Sequence, residues 1–182
     1  MKKHLLSLLA ASALFAGAPA WAQNLTMSTY LGASVGAAAW NVDCAGTTEC
    51  KKNPVSFRVY GGYNFEPQIA LELTYASLGT VKLKSTTASA DITGNSFDVS
   101  AVYKFGGLTT GLGGFLKGGL AYARTTGVGS KNSFSPLLGA GLVYHFNPNL
   151  AVRAEVDTQR VEVNNGGKGN VTSLSLGGQA SF

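Results

Sequence analysis

The chain has 182 residues, a formal net charge of +5 and only 13% charged residues, and it contains 24 glycines. This length suits one domain, and the mild charge without clustered Lys and Arg argues against nucleic acid as a partner. Mean hydropathy is slightly positive, but after the N-terminus no apolar run is long enough to span a bilayer as a helix. Strands that are apolar at every second residue give this combination.

Residues 1–22 have the features of a cleaved export signal. Residues 1–4 are basic, residues 5–17 are apolar, and Ala20-Trp21-Ala22 forms an A-x-A cleavage site. The apolar stretch is shorter than the ~20 residues of a transmembrane helix. We expect a single mature domain at 23–182. Loss of two lysines lowers Lys+Arg from 14 to 12 against 9 Asp+Glu, a net charge of +3.

Eight downstream segments alternate between apolar and polar residues. Transmembrane strands need about 9–11 residues, and single-chain bacterial barrels have an even number of strands. The pattern predicts an all-β fold, a closed eight-stranded antiparallel transmembrane β-barrel with up-and-down meander order. The predicted strands lie at about 27–37, 55–65, 69–75, 97–105, 112–122, 138–146, 150–159 and 174–182.

The connections differ between the two ends of the predicted barrel. Short turns at 64–68, 106–111 and 147–149 contain Gly, Pro and Asn, as turns require. They alternate with longer connections, which is the arrangement of periplasmic turns and extracellular loops. The longer connections are expected at about 39–54, 79–95, 125–133 and 163–171. Aromatic residues expected to form an interfacial girdle at the short-turn end are Phe65, Phe105, Phe146 and Phe182.

Charged residues fall on the strand face opposite the apolar one. A soluble barrel with an apolar interior would place these charges in water and leave the aromatic strand ends unexplained. Eight strands enclose a space that side chains can fill, so bases and acids placed there must pair. The expected lumen network consists of Arg58, Glu72, Asp98, Lys104, Lys117, His145, Arg153, Glu155 and Asp157.

Residues 138–156 consist of a glycine-rich strand, an Asn-Pro turn and a strand with inward Arg153 and Glu155. This segment resembles the small eight-stranded barrels of the OmpA-type transmembrane domain superfamily, including neisserial-type surface antigens. The resemblance implies insertion in a bacterial outer membrane. The chain ends at the barrel, so the peptidoglycan-binding domain of OmpA itself is not expected. Residues similar to the family's signal for the outer-membrane assembly machinery are Ser175, Gly177, Ala180 and Phe182.

Cys44 and Cys50 lie in the first long connection, and in an exported protein we expect them to form a disulfide. A metal site would need more ligands, and His145 lies toward the other end, so no metal or cofactor is expected. Lipid A deacylases are similar in size and use a His-x-Ser-Asn run. Here Phe146 and Asn147 follow His145 and the serine position is missing, which argues against an enzyme.

We therefore expect a structural or surface-interaction, adhesin-like role carried by the extracellular loops. The alternatives are a lipopolysaccharide-modifying enzyme and a small ion-conducting pore. Arg124 and Arg160, outward at the loop ends, suit lipopolysaccharide phosphates. The loops have a slight basic excess that favours host or polysaccharide anions. Their charged residues are Lys51, Lys52, Lys82, Lys84, Lys131 and Lys168 against Asp43, Glu49, Asp91 and Glu162.

Overall fold

The computed structural model describes residues 29–41, 49–51, 53–84, 89–126, 130–162 and 168–182. Within these residues no helix is long and apolar enough to cross a membrane. The expected export signal at 1–22 lies outside the described residues. The expected disulfide also lies outside them, because neither Cys44 nor the side chain of Cys50 is described.

Nine β-strands make up the described part of the chain. They are β1 Thr29–Trp40, β2 Glu49–Lys51, β3 Val55–Asn64, β4 Ile69–Lys84, β5 Ser89–Gly106, β6 Gly111–Thr126, β7 Ser130–Asn147, β8 Leu150–Glu162 and β9 Lys168–Ser181. All except β2 form an antiparallel meander that closes where β1 pairs with β9. The short β2 pairs with the end of β4. The prediction of a closed, all-β, eight-stranded barrel is confirmed.

Residues alternate between the outer surface and the lumen along each barrel strand. On β8, Val152 and Val156 are exposed while Arg153 and Asp157 are buried. The exposed apolar side chains form the band that a hydrocarbon environment requires. At the short-turn end, aromatic pairs stand on the outer surface, with ring centroids 5.1 Å apart for Tyr63 and Phe65. They occupy the level at which an interfacial girdle forms.

The strand register fixes the width of the barrel. Following paired residues around the sheet from Trp40 returns to Tyr30 on the same strand, ten residues earlier, which is a shear of ten. The path runs through Trp40, Val171, Gln159, Leu137, Gly119, Ser100, Glu72, Gly62 and Tyr30. Eight tilted strands enclose a lumen that side chains fill, so inward residues of different strands come into contact.

The strands extend further at the long-connection end than the sequence predicted. The expected loop at 79–95 is wrong for most of its residues, because β4 and β5 leave only 85–88 between them. Likewise β6 and β7 leave only 127–129 of the expected loop at 125–133. Outside the bilayer the outer face contacts water, so the strands continue without apolar alternation. A bulge beside Gly79, whose φ is 74°, also interrupts the period.

Candidate functional site: the lumen and the outer rim

An ion-pair layer crosses the middle of the lumen. Arg153 donates two hydrogen bonds to Glu72, at 2.6 Å to Oε2 and 3.1 Å to Oε1. Lys117 Nζ lies 2.5 Å from Glu155 Oε1, and Arg58 Nη1 lies 2.8 Å from the same oxygen. Because these residues belong to β3, β4, β6 and β8, the layer links strands across the barrel.

Further contacts join the layer into one network. Arg58 also pairs with Asp157 and donates to Ser173, and Arg153 pairs with Glu155. Lys117 Nζ lies 3.1 Å from Asp157 Oδ1. Each charge in the layer therefore faces opposite charges, the condition under which buried ions are tolerated.

A glycine makes room for this layer. Gly139 pairs with Lys117 on one side and Asp157 on the other. A Cβ at this position would lie 2.9 Å from Lys117 Cγ and would also meet the Asp157 carboxylate. The glycine-rich strand noted in the sequence thus leaves space for the charged side chains in the lumen.

The structure separates three of the expected network residues from the ion-pair layer. Asp98 is 2% exposed and accepts a hydrogen bond from Ser96, and no ion pair joins it to another described residue. Lys104 Nζ lies 2.5 Å from Asn64 Oδ1 and 4.3 Å from the centroid of the Tyr30 ring. His145 belongs to the same short-turn end.

Aromatic side chains lie between the ion pairs and the short-turn end. Tyr30, Tyr60 and Phe115 pack in one buried cluster. Tyr30 donates a 2.9 Å hydrogen bond to Glu72, and the Arg153 guanidinium stacks on Phe115, 4.0 Å from its centroid. Cation–π contacts of this kind stabilise a desolvated arginine. The aromatic cluster thus bounds the ion-pair layer on the side of the short-turn end.

A cavity of about 320 Å³ opens at the short-turn end. Its polar lining includes Asn64, Lys104, His145 and Gln179, and turn residues complete its wall. His145 Nδ1 is buried without a hydrogen-bond partner among the described residues. The described residues contain no group of three His, Cys, Asp or Glu that could hold a metal ion.

The long-connection end of the lumen is filled by an apolar plug, which the sequence analysis missed. Its buried members are Ala38, Trp40, Ala76, Leu78, Val81, Ala123, Val161 and Val171. Trp40 Nε1 donates a 3.2 Å hydrogen bond to the carbonyl oxygen of Leu78. The sequence predicts a loop at 39–54, but Trp40 is the last residue of β1. The alternation of β1 continues through Ala38 and Trp40, and this signal could have placed Trp40 in the lumen.

The expected rim residues stand on the outer face. Arg124 and Arg160 are both exposed. Arg124 is the register partner of Asn95 and Asn132, and Arg160 is that of Asn170.

Several charged residues expected in the loops belong to the extended strands, where most of them are register partners of other charged residues. Lys82 is opposite Lys51 on one side and Asp91 on the other. Lys84 is opposite Glu49, and Glu162 is opposite Lys168. Among these register partners in the described strands, Lys51 and Lys82 are the pair of like charge.

The expected assembly residues lie at the seam where the barrel closes. Ser175 is buried in the lumen and Phe182 is exposed. The main chain of Phe182 exchanges hydrogen bonds with Thr29, 2.8 Å for the donated bond and 3.2 Å for the accepted one. Gly177 pairs with Ser34 of β1, and Ala180 pairs with Leu31. These residues therefore contribute to closure of the barrel, in addition to their expected recognition by the outer-membrane assembly machinery.

Known proteins share this architecture. Residues 25–176 match the family model of the OmpA-like transmembrane domain. The chain is 26% identical over 155 residues to outer membrane porin F of Pseudomonas aeruginosa, covering 74% of this chain and 44% of that protein. It thus spans less than half the length of this curated relative.

Two solved structures illustrate the similarity of fold. Neisserial surface protein A superposes with a TM-score of 0.60 at 22% identity, covering 87% of this chain and 98% of its own. Ail of Yersinia pestis, solved in complex with the heparin analogue sucrose octasulfate, has a TM-score of 0.57 at 18% identity, covering 87% and 100%. Both are barrels of similar extent.

Proposed function

Because this chain belongs to the OmpA-like transmembrane domain family, we propose that it is a closed outer-membrane barrel that presents its outer connections at the cell surface, where they bind anionic polysaccharide. The barrel is the scaffold, and recognition lies at the rim. The proposal includes export by a cleaved signal at 1–22, insertion by the outer-membrane assembly machinery and a Cys44–Cys50 disulfide in the first connection.

The observation that carries the scaffold role is the double closure of the lumen. Ion pairs such as Arg153–Glu72 cross its middle, and Trp40, Leu78 and Val81 fill it nearer the long-connection end. An ion moving through would have to separate buried pairs and then enter an apolar layer, and each step is unfavourable. This arrangement supports a barrel that does not conduct.

The surface role is supported by the charges of the rim. Like charges directly opposite each other on neighbouring strands are destabilising, and Lys51 and Lys82 are register partners. An anionic polysaccharide would compensate two lysines at partner positions. The related fold of Ail holds a sulfated sugar analogue, so a barrel of this shape is compatible with such a ligand.

Conductance in planar lipid bilayers tests the scaffold role. The purified, folded barrel should give no stable channel steps, whereas removing the apolar plug with Trp40→Ala and Leu78→Ala together should raise the frequency of opening. Long-lived ohmic channels in the unaltered protein, with the open level unchanged in the plug variant, would contradict a closed scaffold.

Binding of a heparin-coated surface to the folded barrel tests the polysaccharide role. The variant Lys51→Gln with Lys82→Gln should bind several-fold more weakly, and binding should fall as salt rises. The matched control exchanges the charges of an opposite pair, Glu49→Lys with Lys84→Glu, and should bind as the original does because the net charge is unchanged. Equal binding by all three forms would refute the rim assignment.

A further inference from the structure

Strands β7 and β8 part from each other near the outer rim. Their pairing runs from the short-turn end to Leu137 and Gln159, the last paired residues in the described part of both strands. Beyond this point β7 continues to Ser130 paired with β6, and β8 continues to Glu162 paired with β9. The parting begins at Pro136, whose nitrogen has no hydrogen to donate to a neighbouring strand.

A groove of about 290 Å³ lies in the gap between the separated strands. Its lining combines apolar and polar residues: Pro136, Leu138, Thr158, Gln159, Arg160 and Asn170. All except Gln159, which is buried, stand exposed on the outer face. The groove therefore opens toward the lipid and reaches inward between the strands.

The groove lies where the outer face changes from apolar to polar. Toward the rim, the exposed residues of β8 change from the apolar Val156 to the polar Thr158 and Arg160. Those of β9 change from the apolar Leu174 to the polar Thr172. The Thr172 hydroxyl donates a 3.4 Å hydrogen bond to the Thr158 hydroxyl. A lipid whose chain lies along the apolar band would place its headgroup at this level.

We propose that this groove binds a phosphate-bearing lipid of the outer leaflet, the phosphorylated lipid A part of lipopolysaccharide. The Arg160 guanidinium binds the phosphate, since its planar fork suits two phosphate oxygens. Thr158 and Asn170 hydrogen-bond the sugar headgroup, while Leu138 and Pro136 contact the acyl chain. Among the side chains that the structure describes, no carboxylate pairs with Arg160, which leaves its positive charge available to a phosphate.

Arg124 provides an internal comparison. It is also exposed on the outer face, and its sequence context does not distinguish it from Arg160. However, Arg124 stands between Asn95 and Asn132 in a sheet whose pairing continues past it, to Thr126 and Ser130. No strand separation accompanies it. The structure therefore assigns the lipid site to Arg160 and leaves Arg124 as an ordinary rim charge.

Native mass spectrometry of the detergent-solubilised barrel tests the phosphate contact, with added bisphosphorylated lipid A and a dephosphorylated lipid A carrying the same acyl chains. Arg160→Ala should weaken binding of the phosphorylated form about five- to tenfold, and Arg160→Lys by less. Arg124→Ala should bind normally. Equal losses in the two alanine variants, or equal binding of both lipids to the unaltered protein, would overturn the proposal.

A second pair of variants tests the groove rather than the charge. Leu138→Trp would fill the groove and should lower lipid A binding several-fold although Arg160 is present. Leu142→Trp, on the same face of β7 but outside the groove lining, should not. Heat modifiability on gels checks that each variant is folded. A folded Leu138→Trp barrel that binds lipid A normally would also refute the site, whatever the outcome of the heparin-binding test.

Discussion

The Trp40 ring occupies the space beside Gly94 in the outer lumen. A Cβ on Gly94 would lie 2.6 Å from Cη2 and 2.7 Å from Cζ2 of that ring, closer than packed carbon atoms approach. Trp40 is 2% exposed and holds its orientation by the hydrogen bond to Leu78. The largest side chain of the plug therefore requires a residue without a side chain on the opposing strand.

Gly94→Ala should lower the free energy of unfolding by about 1–3 kcal/mol, the usual cost of overpacking. The control is Gly178→Ala, because a Cβ at Gly178 meets no atom within 4 Å. Urea unfolding of the barrel in lipid vesicles measures both. In a Trp40→Ala background the Gly94→Ala change should no longer destabilise. Equal midpoints for the two single alanine variants would show that the plug adapts without strain.

Arg153→Met should destabilise the barrel by about 3–5 kcal/mol, because it leaves Glu72 and Glu155 with less compensation for their buried charges. Combining it with Glu72→Gln should cost less than the sum of the two single changes, since the orphaned charge is removed. Arg124→Met is the control and should change stability by less than about 0.5 kcal/mol, as at exposed sites. Additive effects of the Arg153 and Glu72 changes in urea unfolding would contradict a tightly paired layer.

The fold could be predicted because period-two alternation is a local property of each strand. It placed Arg58 and Arg153 on the inner face without knowledge of neighbours. Which inner residues meet depends on register and shear, which are not local. Consequently the sequence predicts Lys104 among the ion pairs, whereas in the structure it lies against Tyr30 of the aromatic cluster. The loop prediction at Trp40 is wrong because residues 37–39 are all alanine, so the contrast between apolar and polar residues that marks a strand fades before Trp40.

Leu142→Arg should lower the stability of the membrane-inserted barrel by about 2 kcal/mol or more, because the residue lies on the outward apolar face of β7. Asn132→Arg lies on the same face of the same strand at the rim and should cost about 0–1 kcal/mol. Urea unfolding of the two variants in lipid vesicles measures the difference between their free energies of unfolding. If the two substitutions cost the same, the outer face at Leu142 would not be in contact with hydrocarbon.

Phe182 and Gly177 belong to the same expected assembly signal, and the structure predicts different failures for them. The Phe182 contacts with Thr29 are made by the main chain and would survive a Phe182→Ser change. A Cβ on Gly177 would lie 2.6 Å from Ser34 Cα, at the seam between β9 and β1. The aromatic side chain is thus dispensable for closure, whereas the glycine is not.

Phe182→Ser should therefore refold normally into detergent in the absence of assembly factors, yet insert poorly into the outer membrane of cells while still being exported. Gly177→Ala should fail in both settings, because the steric conflict at the seam does not depend on the machinery. Phe146→Ser, which removes an exposed girdle aromatic outside the motif, is the control and should insert in cells. Cell fractionation with heat-modifiability gels, beside refolding of the purified chains, measures all three. A Phe182→Ser variant that inserts as well as Phe146→Ser would show that the motif is not read through this side chain.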